Sequence, residues 1–290
     1  MVLPEILKKI KDIKIKTRRV MNGSSAGGYV VKQKGSGFEF DQIRAYEYGD
    51  DIRFVDWNSS ARAGKLLVRQ YLDEKNRTIM ICLDVSASTF FGSQQLLKSD
   101  IMQQMTAALA LIANAEQDNV GLILFSDVVE KVVPPSRGYT HLMNLLEVVF
   151  SYTPVQKQTD FNVLFLYLVE SFKKDAAVFV ISDFIGDNFE QSLKYVVAQR
   201  EVIAVRCLDE VERHLPKAGY VWGQDPETHE ITLLDLSKSG ARNLQYILDE
   251  RLQDQTTLFR QHDVDVLDIK TDEDFIKTFI LFFKRRMIQR

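Results

Sequence analysis

The residues with the plainest chemical potential are Asp84, Ser86 and Ser88, in the run D-V-S-A-S. A carboxylate followed by hydroxyls two and four positions on, in a loop over a helix start, presents three hard oxygen donors together. Hydroxyls serve soft metals poorly but suit Mg²⁺, which takes octahedral oxygen ligands and keeps several waters. Mn²⁺ accepts the same donors. Neutral hydroxyls with few carboxylates leave such an ion electron-poor, so a further acidic ligand is expected from elsewhere, a partner protein being one source. The simpler alternative is that Ser88 or Ser93 only caps the following helix. Two distant residues strengthen the ligand reading. Thr159, 75 residues after Asp84, opens an expected helix in Q-T-D-F, and Asp183, 99 residues after it, ends V-F-V-I-S-D.

Composition restricts the chemistry to oxygen. Two cysteines and four histidines in 290 residues are too few for a disulfide scaffold or a zinc cluster. Cys82 and Cys207 lie inside apolar runs and are expected to be buried small hydrophobes. A hydrophobic content of 46% supplies a substantial core. With 37 basic against 40 acidic residues, the chain lacks the surplus of Lys and Arg that a nucleic-acid binder needs.

Charge is segregated along the chain. Residues 1–20 hold seven basic residues against two acidic ones, and the last ten hold four basic, leaving the 260 between them with a net −12. Such a body opposes a phosphate-tracking surface and suits discrimination among charged partners. Ile and Leu interleave with Lys over residues 4–19, which is not the pattern of a secretion signal. The spacing predicts a basic amphipathic helix over 5–18 that packs on its own domain, contact with anionic lipid being the rarer alternative. No apolar run is long enough to span a bilayer, and a cytoplasmic location is expected.

The elements that must position these residues divide near residue 76. Residues 1–76 combine the basic helix with a glycine-rich stretch of short alternating apolar groups, expected as strands and turns. From 77 to 290, buried strands alternate with helices. Strands are predicted at 77–83, 120–126, 176–182, 201–208 and 264–269. An antiparallel partner at 128–133 is closed by Pro134-Pro135, and a hairpin spans 219–235 around Asp225-Pro226. Helices are predicted at 93–116, 138–151, 160–173 (capped by Thr159 or Asp160), 190–199, 240–261 and 273–287. The pattern predicts a doubly wound, mostly parallel α/β sheet, whose ligands collect at the carboxyl ends of strands at a topological switch point. Asp84 and Asp183 both fall at such ends.

An enzymatic alternative is a metal-dependent hydrolase or phosphotransferase using Asp84. A strand-end aspartate nucleophile needs a second acid two residues on, and that position holds Ser86. The chain also lacks a G-x-S-x-G elbow and a G-x-x-x-x-G-K-[ST] phosphate loop, and Gly35-Ser-Gly37 makes a poor dinucleotide motif. A non-enzymatic role is the expectation.

Asp84, Ser86, Ser88, Thr159 and Asp183 together resemble the metal-ion-dependent adhesion site of von Willebrand factor A domains. The resemblance covers roughly residues 77–290 and implies that the two serines and the threonine contact the ion directly while the aspartates act mostly through water. Residues 35–74 closely resemble the signature of the bacterial domain-of-unknown-function family numbered fifty-eight. The marks are Gly35, Gly37, Glu39, Phe40, Arg44, Tyr46, Gly49, Asp50, Asp51, Arg53, Asp56, Trp57, Ala61, Arg62 and Arg69. That resemblance implies a von Willebrand A-like domain joined to the signature. It also implies a MoxR-type AAA+ ATPase, or a client of one, as partner. The alternation of Arg44, Arg53, Arg62 and Arg69 with Glu39, Asp50, Asp51, Asp56 and Glu74 is expected to form a charge network. Trp57 is expected as its buried anchor, and the alternative is an interface for the ATPase or a client.

Overall fold

The structure is a computed structural model that describes residues 34–35, 39–72 and 77–282, apart from 94–95, 156–157, 173–174, 187 and 280. The expected helix over 5–18, Gly37, Glu74 and the end of the expected 273–287 helix lie outside these residues. The chain divides into two units, Ser25–Asn76 and one containing Arg77–Arg290.

The smaller unit carries β1 (Lys34–Gly35), β2 (Glu39–Ala45) and β3 (Leu67–Leu72) in an antiparallel sheet of order β1-β3-β2. Helix α1 (Trp57–Ala63) lies between β2 and β3 in sequence. Asp56 starts it, accepting the Ser59 amide at 3.0 Å, and its other oxygen accepts Arg69 Nε at 2.9 Å. Gly64 stops it in the left-handed conformation, φ 65°, where a side chain would be strained. Arg44 grips Asp50 with two 2.7 Å bonds, and Arg53 pairs with Asp51. Each of these pairs closes inside the unit. Trp57 is not the buried anchor expected: it is 64% exposed. It occupies the first turn of α1, whose buried position is Ser60, and the burial falls instead on Asp56, Val55 and Val68. Tyr46 is half-buried and Arg62 exposed.

The larger unit is built on a six-stranded sheet of order β11-β8-β7-β4-β5-β6. Its strands are β4 (Thr78–Asp84), β5 (Asn119–Phe125), β6 (Val129–Ser136), β7 (Ala177–Ser182), β8 (Glu201–Leu208) and β11 (Asp265–Lys270). All pairings are parallel except β5 with β6. This is the doubly wound α/β sheet expected. Strand β6 runs through Pro134-Pro135 instead of stopping before them, because an edge strand need not donate on its outer side.

Alternate strand residues feed two cores, as a pleated strand covered on both faces requires. Ile81, Leu83, Leu122, Leu124 and Ile181 pack with α2 (Lys98–Ala115), α3 (Tyr139–Ser151) and the helical residues 275–279. Met80, Cys82, Ile123, Val178 and Val180 pack with α4 (Phe161–Glu170), α5 (Glu190–Val197) and Phe259 of a later helix. Both cysteines are fully buried, and burial pushes the Cys82 thiol up strongly. After β8 come the short helix α6 (Glu210–Arg213), the hairpin β9 (Gly219–Gln224) and β10 (Ile231–Leu236), and the long helix α7 (Lys238–Gln261). Among the described residues no helix is long and apolar enough to cross a membrane.

Candidate metal centre

Chain order reverses between β4 and β7. From β4 the chain steps to β5 on one side and later returns to β7 on the other, making this the switch point where a ligand crevice forms. Asp84 ends β4 and Ser182-Asp183 ends β7. The two strand ends are tied directly: Ser182 Oγ donates to Asp84 Oδ2 at 2.5 Å. The other Asp84 oxygen accepts the Ser86 amide at 2.9 Å, which folds the D-V-S-A-S loop back over the strand end. A 3-10 turn over Ala87–Phe90 follows, fixed by Thr89 Oγ1 donating to the Ser86 carbonyl at 2.7 Å. That turn sets Ser86 Oγ and Ser88 Oγ 3.1 Å apart.

Neither serine caps α2. Its start at Lys98 is marked by Asp100 accepting the Leu97 amide at 3.2 Å, while Ser93 Oγ donates to Asp209 at 2.5 Å. The helix therefore begins later than the residue-93 start expected.

Thr159 arrives from the other side of the sheet. The Asp160 amide donates to the Ser126 carbonyl just beyond β5 at 3.1 Å, and the Asp160 side chain caps α4 through the Asn162 amide at 2.8 Å. With the cap supplied by Asp160, the Thr159 hydroxyl is released for another partner. Phe161, next in sequence, stacks on Phe184 at 5.3 Å between ring centroids. Phe184 holds φ 56°, a conformation costly for a bulky residue and one that clusters at functional sites. Its carbonyl accepts Gln255 Nε2 of α7 at 2.7 Å, so the loop after β7 is clamped from two helices.

The partner of Thr159 is a residue that sequence reasoning missed. Thr159 Oγ1 donates to Glu227 Oε1 at 2.8 Å, and Ser88 lies close enough to the same carboxylate to favour its charged form. Glu227 lies at the tip of the β9–β10 hairpin. Asp183, in contrast, is committed to Lys98, whose Nζ stands 2.7 Å from its Oδ2 and 2.8 Å from Glu212 Oε1. Its other oxygen accepts the Ile185 amide at 3.1 Å. Lys98, Glu212 and Ser182 are further residues of this cluster that were not singled out in the sequence.

Four of the five candidate positions, Asp84, Ser86, Ser88 and Thr159, thus share one cluster of hydroxyls and carboxylates. Asp183 stands beside it as the partner of a buried lysine. All five are at most 8% exposed. Burial, and then the charge of Asp183, push the Asp84 carboxyl up to about 7, against hydrogen bonds from Ser182 and Ser86. Burial likewise raises Glu227. Among the described residues every hydrogen-bond partner of Asp84 is neutral, so this buried carboxylate lacks the positive charge that buried ions require. Three hydroxyls and a carboxylate are the donor set of a hard divalent cation. No group of three or more His, Cys, Asp and Glu that could hold a metal occurs among the described residues. Any cation here would depend on the hydroxyls.

Relatives and solved structures resemble the chain at a distance. It is 23% identical over 286 residues to an uncharacterized protein of Mycobacterium tuberculosis, covering 98% of this chain and 90% of the relative. Against an uncharacterized protein of Mycobacterium avium it is 31% identical over 116 residues, 37% of this chain and 64% of the relative. The conserved hypothetical protein BatB of Bacteroides thetaiotaomicron superposes with TM-score 0.46 and 11% identity, covering 72% of this chain and 98% of that one. The SpRpn10 VWA domain superposes with TM-score 0.40 and 10% identity, covering 71% and 94%. At these scores the fold assignment rests on the chain's own strand order. Residues 42–253, most of the smaller unit's described strands and helix together with the whole candidate centre, match one family throughout: the chain belongs to the family described as "Protein of unknown function DUF58".

Proposed function

We propose that the chain is a non-enzymatic, divalent-cation-dependent protein-interaction module, acting in the cytoplasm as an adaptor or chaperone-like partner of a MoxR-type AAA+ ATPase. The observation that carries this reading is that the Thr159 hydroxyl, at the mouth of the Ser86–Ser88 loop's crevice, already donates to a carboxylate, Glu227 Oε1, at 2.8 Å. A hydroxyl floor that already engages a carboxylate is suited to an acidic side chain from a partner. Ser86, Ser88 and Thr159 would hold the ion, with Asp84 beside them. Bound Mg²⁺, or Mn²⁺, would supply the positive charge that a partner's Asp or Glu completes. Asp84 orients the Ser86 loop through the Ser86 amide, and Ser182 fixes Asp84. Lys98 pairs with Asp183 and orients it beside the cluster. Family membership supports the ATPase partner, because the sequence resemblance that led to the family also implied that partner.

The test is a binding assay between the purified chain and the MoxR-type ATPase encoded in the same genome. Wild-type and Thr159→Ala chains are compared in one Mg²⁺ buffer, so that any need of the ATPase for Mg²⁺ cancels. Binding by the wild type, its loss on chelation and at least tenfold weakening in Thr159→Ala are expected, the usual scale for loss of a group at a metal site being about 10–100-fold. Equal binding by both chains would sink the proposal. Asp84→Asn is a companion variant, chosen over alanine because Asp84 also organises Ser86 and Ser182.

A further inference from the structure

We propose that Glu227 is an internal ligand of this centre, so that the chain occupies its own acidic-ligand position until the β9–β10 hairpin is displaced. The inference rests on the reading of the centre as a cation site and names the first carboxylate that completes it.

Three observations carry it. The first is contact: the Glu227 carboxylate accepts the hydroxyl of Thr159, one of the three that would hold the ion, at 2.8 Å. The second is presentation. Along the hairpin tip, residues 224–226 and 228–230 are exposed, whereas Glu227 is half-buried against the centre. The tip is built to hold it there. Asp225 accepts the Glu227 and Thr228 amides at 2.7 and 3.1 Å, the Asp225 amide donates to the Glu230 carbonyl at 2.9 Å, and the His229 amide returns to the Asp225 carbonyl at 2.9 Å. The third is charge. Glu227 approaches Asp183, while Lys98, the cation that Asp183 holds, is already shared between Asp183 and Glu212. Bringing another carboxylate to this place opposes like charge, and a neutral hydroxyl offsets that poorly. A divalent cation on Ser86, Ser88 and Thr159 turns the same approach into attraction.

The hairpin is a separate two-stranded ribbon, not a strand of the main sheet. Trp222 and Leu233 are paired across it, and Tyr220, Trp222, Ile231 and Leu233 share one exposed face. The arm bearing Glu227 therefore pairs only with itself along its length, and its displacement breaks no strand pairing of the core. A partner's Asp or Glu would then compete with an arm already in place. Affinity for that partner is reduced by the fraction of molecules whose arm is seated.

The experiment is an electron paramagnetic resonance titration of Mn²⁺ into the full chain, comparing wild type with Glu227→Gln, Glu230→Gln and Ser86→Ala. The amide of Glu227→Gln still accepts from Thr159, so the hairpin can stay seated while the charge is lost. We expect Mn²⁺ to bind the wild type, Ser86→Ala to weaken binding, Glu227→Gln to weaken it at least about tenfold, and Glu230→Gln to leave it unchanged. If Ser86→Ala weakens Mn²⁺ binding but Glu227→Gln does not, the internal-ligand proposal is wrong and the cation site stands. If the wild type binds no Mn²⁺, both fall.

Discussion

Lys98 is the residue whose removal should reveal most about how the centre is held. It opens α2 with its side chain 1% exposed, 2.7 Å from Asp183 and 2.8 Å from Glu212, with Nζ 5.6 Å from the centroid of the Phe91 ring. Lys98→Met keeps most of the aliphatic volume and removes the charge, leaving the Asp183 side chain, itself 1% exposed, without its cation. Removing one member of a buried pair costs about 3–5 kcal/mol. Glu212 is 25% exposed and can take up water, which places the expected loss near the lower end, ~3 kcal/mol. Urea denaturation followed by far-ultraviolet circular dichroism should show it. With a slope of roughly 2–3 kcal/mol/M for a unit of this size, the midpoint should fall by about 1–1.5 M. Adding Asp183→Asn to Lys98→Met removes the stranded charge and should restore about 1–3 kcal/mol. A loss below ~1 kcal/mol for Lys98→Met would refute the reasoning, because it would mean that the buried Lys98–Asp183 pair does not hold this part of the interior together.

Two further perturbations follow from charges placed elsewhere. Asp56 is held down to about 2, first by the Ser59 amide and then by Arg69. Its contribution to the smaller unit should be complete above the ordinary value of 3.8 and disappear as pH falls through about 2. An acid titration of Asp56→Asn against wild type should lack that step, and identical titrations would contradict the assignment. Arg206, 3% exposed, holds Asp268 with two bonds of 2.7 and 3.1 Å and also reaches Gln255 and Thr256 of α7. A lysine ammonium cannot serve this fork, so Arg206→Lys should cost about 1–3 kcal/mol, read as a fall of several degrees in melting temperature. An unchanged melt would show that charge alone suffices there.

The sheet was legible because its strands are covered on both faces and read as unbroken apolar runs, from Ile79–Leu83 to Val202–Val205. The D-V-S-A-S loop was legible because carboxylate and hydroxyls are adjacent in sequence. Asp183 could be placed at the sheet's carboxyl edge because it ends a strand run, whereas Thr159, between two helices, was joined to it only by the resemblance to a metal-ion-dependent adhesion site. What each side chain does there depends on partners far along the chain, and local pattern carries no signal for them. Lys98 sits 85 residues from Asp183, and Glu227 sits 68 from Thr159. Sequence did show the Asp225-Pro226 turn, but not that its tip folds over the Thr159 loop. Trp57 misled for a related reason. Aromatic size suggests burial, yet the first position of a short helix turned it outward while the small, capping Asp56 took the buried place.

The hydroxyls at the β4–β7 switch point are proposed to form a divalent-cation site. The most direct measurement is a crystal of the full chain grown with Mn²⁺ and recorded for anomalous scattering. One strong anomalous peak is expected, bonded to Ser86 Oγ, Ser88 Oγ and Thr159 Oγ1, with Asp84 beside it and the Glu227 carboxylate on the ion. Density at the centre without an anomalous peak, at Mn²⁺ concentrations well above those of the protein, would contradict it.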